Sequence, residues 1–70
     1  MKAAAKKPIS KRELNILNLI ARGYSSEKIG QVLAIAKTTV QTHRRNMLRK
    51  TGFNNTQQMV GWGYRLGLLK

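Results

Sequence analysis

The chain is 70 residues long, and 14 lysines and arginines against two acidic residues give it a formal net charge of +12. It has no cysteine and one histidine, which excludes disulfides and a structural zinc site and fits a reducing cytoplasm. A chain this basic is expected to bind a polyanion, namely DNA, RNA or an anionic membrane surface. The alternative is a basic surface that serves solubility alone.

The beginning of the chain, residues 1–8, is basic but lacks the apolar segment of a secretory signal. We expect it to be a flexible basic arm or a cloning remnant, followed by one domain over residues 9–70. No apolar run approaches the roughly 20 residues of a membrane span. The patterns that follow predict an all-α domain of four helices.

The first predicted helix begins after Ser10, which forms a capping box with Glu13. Its apolar residues follow at helical spacing on the same face as Glu13: Ile16, Leu17, Ile20 and Ala21. Glu13 is therefore expected to be a cap or a buried ion-pair partner rather than a catalytic acid. Glycines at the ends of the first, third and fourth helices predict left-handed caps: Gly23, Gly52 and Gly67.

The second predicted helix starts around Ser25 and Ser26 and runs to about residue 33. Three of its residues are expected to be buried: Ile29, Val32 and Leu33. The break over residues 34–36 is only long enough for a tight turn before the next helix. This pattern predicts a helix-turn-helix.

The third predicted helix, residues 37–50, has two contrasting sides at 100° per residue. One side is expected to pack: Ala36, Val40, His43, Met47 and Thr51. The other side has hydroxyls, an amide and two guanidinium groups but no acid: Thr38, Gln41, Thr42, Arg45 and Arg49. Such groups read base edges and bind phosphates, whereas an ordinary solvated face usually mixes acids with its bases.

The fourth predicted helix, residues 56–66, begins with Asn55 as its cap and Gln58 as the second member of an amide capping box. Its apolar side is expected to contain Met59, Val60, Trp62, Gly63 and Leu66. Gly61 and Gly63 lower helix propensity by up to about 1 kcal/mol each relative to alanine. Either close approach of another helix or chance accounts for these two glycines.

Several segments together resemble the LuxR-type (GerE-type) helix-turn-helix domain of bacterial transcription regulators, over residues 9–69. They are Ile9-Ser10-Lys11-Arg12-Glu13, Ala21-Arg22-Gly23-Tyr24-Ser25, Lys28-Ile29, Lys37-Thr38-Thr39-Val40-Gln41-Thr42-His43-Arg44, Leu48-Arg49-Lys50 with Gly52, and Gly67-Leu68-Leu69. The segment from Thr39 to His43, followed by a basic helix end and Gly52, is the most specific. A stand-alone regulator and the C-terminal domain of a longer one both fit.

The resemblance implies that the third helix lies in the major groove of double-stranded DNA and that the fourth joins two protomers on an inverted repeat. The implied base contacts are Thr38, Gln41, Thr42 and Arg45. The implied phosphate contacts are Ser26, Lys28, Thr39, Arg49 and Lys50. Lys37 and His43, by their own chemistry and place on the third helix, are expected phosphate contacts as well. The expected dimer contact is Met59, Trp62, Gly63 and Leu66, in a homodimer that is weak or induced by DNA. No catalytic residue, metal or cofactor is implied, and the expected location is the bacterial cytoplasm, on the nucleoid when DNA is bound.

The chain departs from the pattern usual in the family at several positions. Ala36 replaces a serine, which removes the expected cap of the third helix, and Lys37 replaces a glutamate. Thr51 replaces a leucine, which weakens a buried contact, and Gly30 replaces an alanine. Gly61 and Gly63 replace small residues that favour helix, which bears on the dimer geometry.

Three other classes of protein fit this sequence less well than a DNA-binding domain. An enzyme lacks the residues for a site, because the chain has one histidine, two glutamates, no aspartate and no cysteine. An RNA-binding protein is expected to expose aromatic side chains, whereas all four here are expected in the core: Tyr24, Phe53, Trp62 and Tyr64. A membrane-active helix is interrupted by the glycines. The exposed side of the fourth helix has one further alternative role, which is contact with RNA polymerase.

Overall fold

The computed structural model describes residues 9–69, so the expected basic arm over residues 1–8 lies outside the described residues. Four helices follow one another along the chain: α1 (Lys11–Ala21), α2 (Ser26–Leu33), α3 (Lys37–Thr51) and α4 (Thr56–Arg65). No strand occurs between residues 9 and 69. The prediction of an all-α four-helix domain is confirmed, and the predicted ends of α3 and α4 lie within one residue of the observed ones.

The starts of α1, α2 and α4 follow from side-chain caps, whereas Ala36, the N-cap of α3, makes no such bond. The Ser10 hydroxyl accepts from the Glu13 amide at 3.2 Å, and the Glu13 carboxylate accepts from the Ser10 amide at 2.9 Å. Asn55 caps α4 by accepting from the Gln58 amide at 2.9 Å. The Gln58 side chain, however, accepts from the amide of Asn54 rather than from that of Asn55, so the expected amide capping box is displaced by one residue.

The turn between α2 and α3 is as tight as predicted and depends on Gly30. Ala34 adopts a left-handed conformation with φ of 59°, and the Ile35 amide donates to the Gly30 carbonyl at 2.9 Å. A Cβ atom on Gly30 would lie 2.7 Å from the Ile35 carbonyl oxygen. Because that neighbour is backbone, it cannot move aside as a side chain could.

The core lies where the four helices meet, and its fully buried side chains are Ile16, Leu17, Ile29, Val40, Met47 and Met59. Three expectations about burial are wrong, of which Ala36 is described with the site below. Val32 is 50% exposed, because α2 packs through Ser26, Ile29 and Gly30 and Val32 lies on a different side of that helix. Tyr64 is 48% exposed, because α4 packs through Met59 and Gly63 and Tyr64 lies on a different side of that helix.

The two unusual glycines of α4 have different surroundings. A Cβ atom on Gly63 would lie 2.9 Å from the side chain of Leu69 and 3.4 Å from that of Leu17, so the C-terminal segment crosses α4 at this residue. A Cβ atom on Gly61 would meet only the Arg65 guanidinium, at an ordinary 3.5 Å. Packing within the chain therefore accounts for Gly63 and leaves Gly61 unexplained.

Candidate nucleic-acid interface

The orientation of α3 is set by Val40 and Met47, which are both fully buried in the core. The side chains expected to read base edges consequently point away from the core, and all four are exposed: Thr38, Gln41, Thr42 and Arg45. Ala36, which the helical pattern placed on the packed side, is exposed instead, because it precedes the first turn as the N-cap. The exposed side of α3 is the candidate DNA-reading face.

Hydrogen bonds within α3 limit what some of its groups can offer a ligand. The Thr42 hydroxyl donates to the Thr38 carbonyl at 3.0 Å, so toward a base it presents acceptor lone pairs and a methyl group. Arg49 donates to the Asn46 side chain at 3.0 Å. One such bond leaves most of the five guanidinium N–H donors free for a phosphate.

The charge on α3 is all of one sign. The helix has no acidic residue and contains five cations: Lys37, Arg44, Arg45, Arg49 and Lys50. Four of these side chains are exposed, and Arg44 is half-buried. Lys28, in the first turn of α2, is also exposed, as is Thr39 in the first turn of α3. The cations and the polar reading face together form a surface suited to a polyanion.

Lys50, an expected phosphate contact, already has a partner within the chain. Its Nζ atom lies 2.8 and 3.0 Å from the two carboxylate oxygens of Glu13. This ion pair confirms the structural role expected for Glu13. To bind a phosphate, the Lys50 ammonium group must either contact the phosphate and the Glu13 carboxylate at once or break its bonds to Glu13.

Two further expected phosphate contacts, Ser26 and His43, are less exposed to solvent than the lysines. Ser26 is 7% exposed, and its hydroxyl accepts a hydrogen bond from Arg44. His43 is half-buried, and its Nδ1 atom is buried without a hydrogen-bond partner among residues 9–69. Because a buried N–H is harder to leave unpaired than a lone pair, this favours the tautomer with the proton on Nε2.

The residues expected at a dimer contact occupy different environments. Met59 is fully buried and Gly63 lies beneath Leu69, so neither is available to a partner. Trp62 is half-buried and packs on Phe53, with ring centroids 5.8 Å apart. Leu66 is 58% exposed but follows the end of α4. We define the free face of α4 as one stripe of exposed or half-buried residues at i, i+3, i+4 and i+7, which are Gln57, Val60, Gly61 and Tyr64.

Arg44 is the residue of this region that sequence reasoning missed. It lies one helical turn after Val40, on the packed side of α3, and reaches the first residue of α2. The signal was present, because an arginine four residues after a core valine must find a partner for its guanidinium.

A tight turn joining two helices, with the second exposing a polar and cationic face, defines a helix-turn-helix DNA-binding domain. The family described as bacterial regulatory proteins, luxR family (GerE), matches residues 7–62. The chain therefore belongs to that family and is a DNA-binding domain of a transcription regulator. The family is one of regulators rather than of enzymes. No match to the chain is found among solved structures.

Each of the four helices is too short or too polar to cross a lipid bilayer, as far as residues 9–69 are concerned.

Proposed function

We propose that α3 enters the major groove of double-stranded DNA and that Thr38, Gln41, Thr42 and Arg45 contact base edges there. The observation that carries this proposal is the exposure of these four side chains on the side of α3 opposite the buried Val40 and Met47. Gln41 and Arg45 are one helical turn apart, so both can face the same groove. Each can bind a base bidentately and so discriminate by about 1–3 kcal/mol.

The phosphate contacts flank this reading face. Lys37 and Thr39 lie in the first turn of α3, Arg49 lies near its end, and Lys28 lies in the first turn of α2. Arg49 is the strongest candidate at the end of α3, because the ammonium of Lys50 is bound to Glu13. His43 is a further candidate through Nε2. Ser26 is assigned a structural role, since its hydroxyl is buried and occupied.

The experiment that tests this proposal begins with selection of bound sequences from random DNA. Affinities for the selected site and for random duplex are then measured for Gln41→Ala, Arg45→Ala and Arg49→Ala. We expect the first two variants to lose affinity for the selected site and to bind random DNA nearly as before. Arg49→Ala should weaken both duplexes alike and reduce the slope of log affinity against log salt by about one unit.

Circular dichroism must accompany these measurements, because a domain this small can lose its fold and imitate either result. If folded Arg45→Ala and Arg49→Ala lose affinity equally on both duplexes, α3 is not the base reader. Binding that barely changes between low and physiological salt would contradict the phosphate contacts as well.

We further propose that two copies assemble on an inverted repeat through the free face of α4. Gly61 supports this placement, because packing within the chain gives no reason for a glycine there and a partner helix could approach it closely. Like charges of +12 on each copy oppose association until DNA phosphates neutralise them. We therefore expect the protein to be mostly monomeric at micromolar concentration. Two protomers should bind together on DNA whose half-sites lie about one helical turn apart.

Tyr64→Ala and Leu66→Ala test the dimer surface. Both side chains are strongly exposed, but only Tyr64 belongs to the free face of α4. The Tyr64 variant should lose the cooperative step on the inverted repeat and keep its affinity for a single half-site, whereas Leu66→Ala should retain both. A strictly one-to-one complex of the unmodified protein on the inverted repeat would contradict the dimer.

A further inference from the structure

Arg44 joins the middle of α3 to the beginning of α2. Its guanidinium donates a hydrogen bond to the Ser26 hydroxyl, across 18 positions of sequence. The Ser26 side chain has little other freedom, because this residue is 7% exposed. Arg44 is itself half-buried, unlike its exposed neighbour Arg45.

Placing a half-buried guanidinium between two helices costs desolvation free energy. Arginine stays charged, so partial removal from water must be offset by hydrogen bonds. Between residues 9 and 69 the only ion pair joins Lys50 to Glu13, so no carboxylate compensates Arg44 there. An apolar residue at this position could pack without that cost, which indicates that the bond to Ser26 has a role besides stability.

The position of this bond explains what it can do. At its C-terminal end, α2 is attached to α3 by the tight turn, where the Ile35 amide binds the Gly30 carbonyl at 2.9 Å. At its N-terminal end, α2 is attached to α3 by Arg44 and Ser26. An eight-residue helix is about 12 Å long, so a 5° pivot about the turn would displace the other end by about 1 Å.

We propose that Arg44 is a positioning residue for DNA recognition. Through Ser26 it holds the start of α2, with its phosphate-binding Lys28, at a set distance from Gln41 and Arg45 on α3. Phosphate contacts fix the register of a protein on the duplex, so this distance determines whether α3 meets the correct base edges. The inference rests on the function proposed above and adds to it the residue that aligns the two helices.

The rival role for Arg44 is a direct phosphate contact, and a pair of substitutions separates the two. Ser26→Ala removes a single oxygen and leaves every cation in place, whereas Arg44→Gln removes the guanidinium. The double variant shows whether the two side chains act as one unit. Affinity for the selected site, affinity for random duplex and the salt slope are measured for each, beside circular dichroism and denaturant unfolding.

For a positioning role we expect Ser26→Ala and Arg44→Gln each to lower affinity for the selected site roughly tenfold, the size associated with one hydrogen bond to a charged group. Affinity for random duplex and the salt slope should stay nearly unchanged. The double variant should lose no more than the worse single variant. Arg45→Gln, the exposed neighbour, is the matched control, because it removes one guanidinium without touching Ser26. Its loss at the selected site should shrink in the Ser26→Ala background, because a misaligned α3 no longer presents Arg45 to its base.

Two outcomes overturn the inference. In one, folded Ser26→Ala binds the selected site as tightly as the unmodified protein. In the other, Arg44→Gln weakens both duplexes alike and lowers the salt slope by about one unit, as a direct phosphate contact would. If Arg44→Gln does not fold, Ser26→Ala decides alone. Failure of the base-reading proposal is recognised separately, because it appears in Arg45→Ala whatever Ser26→Ala does.

Discussion

Lys50, in the last turn of α3, forms an ion pair with Glu13, in the first turn of α1, at 2.8 Å across 37 positions of sequence. The same carboxylate accepts from the Ser10 amide and completes the cap of α1. One acidic side chain therefore starts α1 and anchors the end of α3, the helix proposed to read DNA. The pair also occupies the Lys50 ammonium group, although this side chain stays 40% exposed.

The stability of the domain should depend on pH through Glu13. Burial alone would raise the pKa of this carboxyl, but hydrogen bonds from Lys50 and the Ser10 amide, with the charges of Lys50 and His43, hold the pKa below its ordinary value of 4.5. A carboxyl with a lowered pKa stabilises the fold above its unfolded-state value, and that stabilisation is lost as pH falls toward the folded-state value. Melting temperature should therefore decline below about pH 4.5.

Glu13→Gln tests this expectation. The amide can still accept from Ser10 but cannot pair with Lys50, so at pH 7 we expect a loss of about 1–3 kcal/mol in the free energy of unfolding and a flatter acid profile. Glu27→Gln is the matched control, because Glu27 is exposed in the first turn of α2. An acid profile as steep in Glu13→Gln as in the unmodified protein would contradict the assignment.

The start of α3 can be stabilised by restoring a cap. Ala36 has the extended backbone of an N-cap, with φ of −68° and ψ of 148°, but no side chain to accept a hydrogen bond. A serine there can accept from the Thr39 amide, so Ala36→Ser should stabilise the domain by about 1 kcal/mol in denaturant unfolding. Ser25→Ala, which removes an existing cap from α2, should destabilise by a similar amount. An unchanged unfolding midpoint in Ala36→Ser would count against it.

Gly30→Ala should destabilise the helix-turn-helix even though alanine favours helix by about 1 kcal/mol. The new methyl group would lie 2.7 Å from the Ile35 carbonyl oxygen, and relieving that overlap must open the turn between α2 and α3. We expect a net loss of about 1–3 kcal/mol, measured by thermal unfolding, with weaker binding to the selected site. Gln31→Ala, at the exposed neighbouring position, should be nearly neutral. A more stable Gly30→Ala would show that the turn is wider.

The glycines of α4 should respond in opposite directions to alanine. Gly61→Ala gains helix propensity and meets no close atom, so the monomer should be stabilised by up to about 1 kcal/mol. Gly63→Ala places a methyl group 2.9 Å from the buried Leu69 side chain and should destabilise the domain. Chemical denaturation of both variants provides the comparison. Equal stability changes at both positions would refute the packing argument. If Gly61 permits close approach of a partner helix, Gly61→Ala should also bind an inverted repeat less cooperatively.

Much of the fold and of the reading face could be predicted because the relevant physics is local. Caps at Ser10, Ser25 and Asn55 each involve an amide three residues away, and glycines with positive φ end α1 and α3. The exposed side of α3 is predictable from the 100° repeat, because burial of Val40 and Met47 requires the opposite side of the helix to face solvent. Such signals are contained within one or two helical turns.

Contacts between distant segments were decided only by the tertiary structure. Nothing in the local pattern pairs Lys50 with Glu13 or Arg44 with Ser26, since each pair joins helices whose relative placement depends on the whole core. The dimer surface shows the same limit: Met59 and Gly63 are apolar or small at helical spacing, which fits a partner's surface and the protein's own interior equally well. Which of the two they meet depends on where the C-terminal segment crosses α4 and places Leu69 against Gly63, and that crossing is set by side-chain packing across the domain.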